Sequence, residues 1–125
     1  MNLNQITIPS LDVAKATAFY KVLGLKLIVD ALPNYVRFEC PDGDATFSIH
    51  KVDALPVGQG ISLYFESDDL DQWVSVLREK GIVFDELPED RPWLWREAHL
   101  KDPDSNHLIL YHAGKNRKNP PWRIS

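Results

Sequence analysis

The chain has 125 residues, of which 44% are hydrophobic and 26% are charged, and its formal net charge is -4. That length suits one ordinary domain with enough apolar residues to form a core. A nucleic-acid partner would require a basic stripe, which this balance does not supply. No apolar run approaches the roughly 20 residues that would span a bilayer, so we expect neither nucleic acid nor a membrane as partner. Cys40 is the single cysteine; an internal disulfide is therefore excluded, and the expected location is cytoplasmic.

The first half of the chain alternates strand and helix signals. Residues 4–8 alternate polar and apolar side chains, which predicts a strand that Pro9 ends because proline cannot donate to a ladder. Ser10 or Asp12 can cap a following helix with helically spaced apolar residues, and Gly24 ends it. Three further strands are predicted, over residues 25–30, 35–40 and 46–51.

The second half repeats this order. Residues 61–66 predict a strand, and Asp68 or Asp69 begins a helix that Gly81 ends. The remaining strands are predicted over residues 82–84, 96–101 and 107–112. Strand, helix, strand, strand, strand therefore occurs twice within one domain spanning 1–125, with modules at about 3–55 and 60–112 and a C-terminal tail at 113–125.

Alternation along the strands separates an apolar side from a polar side. The polar side collects Gln5, Thr7, Tyr35, Arg37, Glu39, Thr46, Ser48, His50, Ser62, Tyr64, Glu66, Glu97, His99, His107, Ile109 and Tyr111. A flat sheet with one solvated face would give the same division. Tyrosines, histidines, an arginine and acids offer more hydrogen-bonding chemistry than a plain surface, so we expect a curved sheet whose polar face lines a cavity.

Several motifs in this order resemble the vicinal-oxygen-chelate superfamily, which includes glyoxalase I, extradiol dioxygenases, fosfomycin-resistance transferases and bleomycin-binding proteins. They are Gln5-Ile6-Thr7-Ile8, Asp12, Phe19-Tyr20, Leu23-Gly24, Ser67-Asp68-Asp69-Leu70-Asp71, Pro92-Trp93-Leu94-Trp95-Arg96-Glu97 and Asp102-Pro103-Asp104-Ser105-Asn106. In the last motif Ser105 replaces a glycine of the family pattern. The resemblance covers roughly residues 3–112. Within the superfamily, the sequence most resembles the bleomycin-resistance-like members. The resemblance implies an α+β fold in which two βαβββ modules form a curved, half-barrel mixed sheet with helices on the convex face, and a homodimer.

The metal ligands of this family match four positions, which hold Gln5, Ser48, Ser62 and Ile109 here. Glutamine is a plausible ligand, serine is a poor neutral one and isoleucine is none, whereas a catalytic metal needs about three ligands from His, Cys, Asp or Glu. Because these positions depart from the family pattern, we expect no metal and no other cofactor. The alternative is a displaced site for a divalent metal in a lyase, isomerase or dioxygenase, formed by Gln5, His50 and His107 with Glu66 or Glu97.

The leading hypothesis is a metal-independent protein that binds a small molecule in a polar cavity. The expected ligand-binding residues are Gln5, Arg37, Ser48, His50, Ser62, Glu66, Trp93, Trp95, Glu97, His107 and Tyr111. Arg37 would hold an anionic or carbonyl group, while Trp93 and Trp95 would give flat apolar contacts. Glu66 or Glu97 could form an acid–base pair with His99 or His107. A purely structural dimerisation module would leave the polar face unexplained.

Overall fold

The computed structural model describes all 125 residues, and the chain divides into two compact units: residues 1–60 with 102–105, and residues 61–101 with 106–125. The first unit contains β1 (Gln5–Ser10), α1 (Val13–Leu23), β2 (Lys26–Ala31), β3 (Tyr35–Glu39) and β4 (Thr46–Lys51). The second contains β5 (Ser62–Glu66), α2 (Leu70–Glu79), β6 (Glu86–Asp90), β7 (Arg96–Lys101), β8 (His107–His112) and α3 (Lys115–Lys118).

Each unit has a four-stranded mixed sheet of the same topology. The strand orders are β1-β4-β3-β2 and β5-β8-β7-β6. The first pair in each order is parallel and the other pairs are antiparallel. The predicted α+β fold with two βαβββ modules is therefore confirmed. Each of the three helices is too short or too polar to cross a membrane.

Local capping signals define α1. The Asp12 side chain accepts a hydrogen bond from the Lys15 backbone N–H at 3.1 Å, which satisfies one of the free donors of the first turn. Gly24 follows the last turn at φ 119°, a left-handed conformation that glycine adopts without a Cβ clash. Both ends of this helix were predicted from these residues.

Tyr20 lies at the centre of the first unit and is fully buried. Its ring centroid is 4.7 Å from that of Phe47, and its hydroxyl donates to Oδ2 of the buried Asp102 at 2.6 Å. Burial, followed by the nearby Asp102 charge, raises the pKa of Tyr20 far above its usual range. This hydrogen bond holds residues 102–105 in the first unit.

The second unit has a core of its own beneath α2. The helix lies against β6 and β8, and its buried side chains are Leu70, Val74 and Leu77. The sheet contributes fully buried side chains from the faces of β7 and β8: Ala98, Leu100, Leu108 and Leu110. The alternation of the sequence predicted this apolar side.

One predicted strand end and one predicted strand were wrong. Pro9 lies inside β1 and pairs with His50 of β4; β1 has a partner on only one side in its sheet, and an edge strand tolerates a missing N–H. Residues 82–84 are not a strand. The Ile82 N–H instead returns to the Leu77 carbonyl at 3.0 Å and closes the end of α2, with Gly81 at φ 93°.

Candidate functional site

The polar face of the first sheet is organised around Ser48, a fully buried side chain on β4. The register places Thr7 of β1 on one side of Ser48 and Arg37 of β3 on the other. The Gln5 amide nitrogen donates to Ser48 Oγ, and Thr7 Oγ1 lies 2.8 Å from the same atom. The structure therefore joins Gln5 and Ser48, two of the predicted ligand-binding residues, in one hydrogen-bonded group.

Arg37 lies on this face through its contact with Tyr35. Its Nε donates to the Tyr35 hydroxyl at 3.0 Å, and its guanidinium carbon is 5.6 Å from the centroid of the same ring. Hydrogen bonding from Ser48 and then from Arg37 lowers the pKa of Tyr35 despite an opposing effect of burial. His50 is the cross-strand partner of Tyr35, and its side chain is exposed.

The polar face of the second sheet carries a continuous hydrogen-bonded chain across three strands. Ser62 Oγ on β5 lies 3.0 Å from Nδ1 of His107 on β8. Nε2 of His107 lies 2.9 Å from Nδ1 of His99 on β7, and His99 Nε2 lies 2.9 Å from Glu97 Oε1. We call these four residues the serine–histidine chain. It begins at an exposed hydroxyl and ends at a carboxylate that is only 4% exposed.

The buried end of the chain is held by further contacts. The indole N–H of Trp93 donates to Glu97 Oε2 at 2.6 Å, so each carboxylate oxygen accepts from a different neighbour. The Nε atom of Arg91 lies 3.9 Å from Glu97 Oε1, too far for a hydrogen bond but close enough for charge pairing. Arg91 also forms an ion pair with Glu86 at 2.9 Å. The negative charge of Glu97 thus has a cation and two N–H donors beside it.

Burial, followed by the charges of His99 and Lys101, lowers the pKa of His107, while Asp85 and Glu86 act in the opposite direction. The net effect favours a neutral imidazole at neutral pH. A neutral histidine has one nitrogen that donates and one that accepts, as a continuous chain requires.

A cluster of aromatic side chains lies beside the serine–histidine chain on the same sheet. The rings of Trp95 and Tyr111 are stacked with centroids 4.6 Å apart, and Tyr64 meets them edge-on at 5.9 Å and 5.6 Å. Ile109, Tyr111 and Ala113 form a small buried cluster against which Trp95 packs. This face therefore combines hydrogen-bonding groups with apolar ring surface. Burial, followed by the Glu66 charge, raises the pKa of Tyr111.

Glu66 has a structural contact that its predicted ligand-binding role did not include. Its Oε2 accepts from the backbone N–H groups of Ala113 and Gly114 at 2.8 Å and 2.9 Å. These bonds hold the backbone that follows β8. In the same segment, the Asn116 carbonyl accepts a hydrogen bond from Trp95 Nε1 at 3.2 Å. Glu66 therefore holds the start of the tail.

The four positions that match the family's metal ligands do not fit a metal ion. Ser48 is bonded to Gln5, Ser62 to His107, and Ile109 is a buried hydrocarbon side chain only 3% exposed. None of the four carries a charge or an imidazole, and Gln5 alone cannot supply the three or so ligands that a catalytic metal ion needs. No group of three or more His, Cys, Asp or Glu side chains has an arrangement that could hold a metal ion.

Two cavities lie away from this face, on the helix side of the second unit. One of about 220 Å³ is lined by residues of α2 and β6 together with Arg96. The other, of about 400 Å³, is lined by Arg78, Leu87 and residues 81–84. Neither includes a predicted site residue.

The list of expected ligand-binding residues omitted four residues that the structure includes in these groups: Thr7, Tyr35, Tyr64 and His99, the last of which was named only as a possible acid–base partner. Alternation had placed all four on the polar side. Their contacts depend on which residues stand opposite one another in neighbouring strands. That register was the missing information.

Comparison with known proteins identifies the family to which this fold belongs. Residues 2–110 match the model of the Glyoxalase/Bleomycin resistance protein/Dioxygenase superfamily. The uncharacterized protein YraH of Bacillus subtilis (strain 168) is 30% identical over 130 residues, covering 89% of this chain and 98% of YraH.

Solved structures show the same fold. A glyoxalase/bleomycin resistance protein/dioxygenase from Nocardioides superposes with a TM-score of 0.79 at 20% identity, covering 100% of this chain and 90% of the other. A bleomycin-binding protein in complex with bleomycin superposes with a TM-score of 0.70 at 22% identity, covering 90% and 98%. Together with the family match over nearly the whole chain, these findings establish that the protein belongs to the Glyoxalase/Bleomycin resistance protein/Dioxygenase superfamily.

Proposed function

We propose that this protein binds a small molecule through the polar faces of its sheets, without a catalytic metal. The observation that carries the proposal is the face of the second sheet, where the serine–histidine chain adjoins exposed aromatic rings. Trp93 is 45% exposed and Tyr64 is 51% exposed. A ligand contacts both polar and apolar groups at such a surface, and the polar groups determine its orientation.

Arg37 supports an anionic or carbonyl-bearing ligand. Its Nε donates to Tyr35, and a guanidinium has further N–H donors in a planar fork that fits a carboxylate. The side chain is half-buried, which strengthens a charge-assisted hydrogen bond relative to one in open water.

The structurally similar bleomycin-binding protein was solved with bleomycin bound, so the fold is compatible with small-molecule binding. A homodimer in the cytoplasm is part of the proposal; it follows from the family resemblance and from the single cysteine. Light scattering coupled to size exclusion tests the dimer, and a monomer at micromolar concentration would contradict it.

The metal-dependent alternative is less consistent with the second sheet. Both ring nitrogens of His107 are engaged, one with Ser62 and the other with His99. A metal ion could bind His107 only by breaking one of these bonds. Stoichiometric nickel, zinc, manganese or iron in protein purified without chelator would contradict the metal-free part of the proposal.

Tryptophan fluorescence titration tests binding. The panel should contain small aromatic carboxylates, their uncharged amides and bleomycin, so that an anionic group, an aromatic ring and a cationic ligand are compared. A saturable change is expected with at least one class, and it should be reduced in Trp93→Phe.

Trp122→Phe is the matched control, since Trp122 lies in the C-terminal tail and is 57% exposed. Its loss should leave the ligand-dependent change intact. Calorimetric titration tests the first sheet separately, because residues 1–60 contain no tryptophan, and Arg37→Gln should selectively weaken binding of the carboxylates there. If no member of the panel changes the emission of the unmodified protein, the proposed function fails.

A further inference from the structure

We propose that Ser62 is a reactive serine: its hydroxyl attacks the acyl carbonyl of small activated esters while His107 takes its proton. This activity goes beyond ligand binding and does not depend on which molecule the protein binds. The inference comes from the direction of the hydrogen bonds in the serine–histidine chain, which the contacts at its buried end determine.

The hydrogen positions follow from the carboxylate. An ionised carboxylate only accepts, so His99 Nε2, at 2.9 Å from Glu97 Oε1, must carry a hydrogen. When His99 is uncharged its other nitrogen accepts, and His107 Nε2 at 2.9 Å donates to it. This leaves His107 Nδ1 with a free lone pair, 3.0 Å from Ser62 Oγ. The serine hydroxyl therefore donates to a basic nitrogen.

This arrangement contains the groups that nucleophilic catalysis by serine requires. A hydroxyl is a weak nucleophile until an adjacent base removes its proton, and the base is in turn oriented by a third group. His107 is the base, while His99 and Glu97 are positioning residues that act through it. The lowered pKa of His107 keeps its ring neutral and able to accept the proton.

The nucleophile is also accessible. Ser62 is the first residue of β5, which pairs with β8 alone, and its side chain is exposed. Tyr64 stands two residues further along the same strand face, about 6.6 Å away, and is 51% exposed. Its ring is suitably placed to contact an apolar or aryl portion of an ester.

The reaction balances without a further co-reactant. Ser62 Oγ forms a bond to the acyl carbon as its proton passes to His107 Nδ1. The ester C–O bond then breaks, and the leaving alcohol or phenolate takes up that proton. Water, deprotonated by His107, later cleaves the acyl-serine to release the carboxylic acid and restore the hydroxyl.

Acylation with p-nitrophenyl acetate tests the proposal. The full-length protein is incubated with the ester, and peptide mass spectrometry measures acetylation at Ser62 and at Ser75. Ser75 is an exposed serine on α2, a helix without histidine, and serves as the internal reference. Ser62 should be acetylated at least about 100-fold faster, the usual contribution of a general base.

Two variants separate chemistry from structure. His107→Ala should reduce acetylation of Ser62 about 100-fold, and added imidazole should partly restore it. Glu97→Gln should reverse the chain: Trp93 donates to the amide oxygen, so the amide nitrogen donates to His99 and the hydrogens of both imidazoles move to their other nitrogens. Nitrogen-15 NMR of the rings reads out this change of tautomer, and acetylation of Ser62 should fall with it.

Glu89→Gln on β6 is the control for Glu97→Gln. Glu89 is exposed and stands opposite Glu97 in the register, so its loss should affect neither the tautomers nor the rate. The proposal is overturned if Ser62 reacts no faster than Ser75, or if imidazole fails to restore a folded His107→Ala protein. Unchanged acetylation of Ser62 in Glu97→Gln despite reversed tautomers would have the same meaning. Failure here leaves the fluorescence titration unaffected, so the two proposals are judged separately.

Discussion

Replacing Ser105 with glycine is expected to stabilise the protein. Ser105 lies in the turn between β7 and β8 at φ 66°, in the left-handed region, and its N–H bonds to the Asp102 carbonyl at 3.0 Å. Its side chain is exposed. The family pattern has glycine at this position, so the substitution restores the residue that the backbone conformation favours.

The magnitude follows from two opposing effects. An L-residue in the left-handed region costs roughly 1–2 kcal/mol, which glycine does not incur. Glycine gains more freedom than serine in the unfolded chain, and this reduces the benefit by about 0.4–1 kcal/mol. Little packing is lost because the side chain is exposed. The free energy of unfolding should therefore rise by about 0.5–1 kcal/mol, which corresponds to roughly 2–4 °C in melting temperature for a domain of this size.

Urea denaturation measures the effect. The midpoint should rise while the slope of free energy against urea stays constant, since the exposed surface does not change. Ser75→Gly is the matched control, because Ser75 lies in α2 and the same substitution in a helix should destabilise by about 0.5 kcal/mol. A lowered midpoint for Ser105→Gly, alongside the expected loss for Ser75→Gly, would refute the argument from backbone strain.

Three further changes test contacts in the two units. Tyr20→Phe should lower the free energy of unfolding by about 1.5–3 kcal/mol, measured with urea, because it removes the donor to the buried Asp102 carboxylate; an unchanged midpoint would contradict this. Ser48→Ala should raise the pKa of Tyr35 toward its usual value in an ultraviolet titration corrected with Tyr35→Phe, because the Ser48 hydrogen bond is the main cause of its lowering. Since the folded-state pKa of Tyr35 is depressed, its contribution to stability appears as pH rises through that pKa, and Ser48→Ala should reduce this rise. Glu66→Ala should accelerate hydrogen exchange at the two backbone amides after β8 that this carboxylate binds, and unchanged protection would show that the tail is held by other contacts.

Local signals explain how much of the fold was predicted. Asp12 and Gly24 determine the ends of α1 through hydrogen bonds and backbone conformation within a few residues, so their effect is visible in the sequence. The prediction of a strand at residues 82–84 failed because their apolar pattern fits a strand as well as a loop that ends a helix. The deciding bond, from the Ile82 N–H back to Leu77, belongs to the preceding helix.

The candidate site was predictable by face but not by contact. Alternation alone placed Ser62, His99, His107 and Glu97 on one side of a sheet. Their order in the serine–histidine chain depends on the parallel pairing of β5 with β8 and the antiparallel pairing of β8 with β7. A shift of these pairings would change which of these residues stand opposite one another, and nothing local in the sequence determines that register. The stacking of Trp95 on Tyr111 was unpredictable for the same reason.

The two sheets share one topology, but the hydrogen-bonded side chains on their polar faces end in residues of opposite charge. On the first sheet the terminal group is a cation: Arg37 donates to the Tyr35 hydroxyl and, after the hydrogen bond from Ser48, contributes to the lowered pKa of that phenol. On the second sheet it is an anion, the Glu97 carboxylate, and in the proposed tautomers every hydrogen of the serine–histidine chain points toward that carboxylate. We therefore propose that the first face holds negative or carbonyl groups, whereas the second presents an electron-rich hydroxyl to an electrophile. Because this difference resides in single residues at the end of each hydrogen-bonded group, a fold shared across the superfamily can support different chemistry on its two sheets.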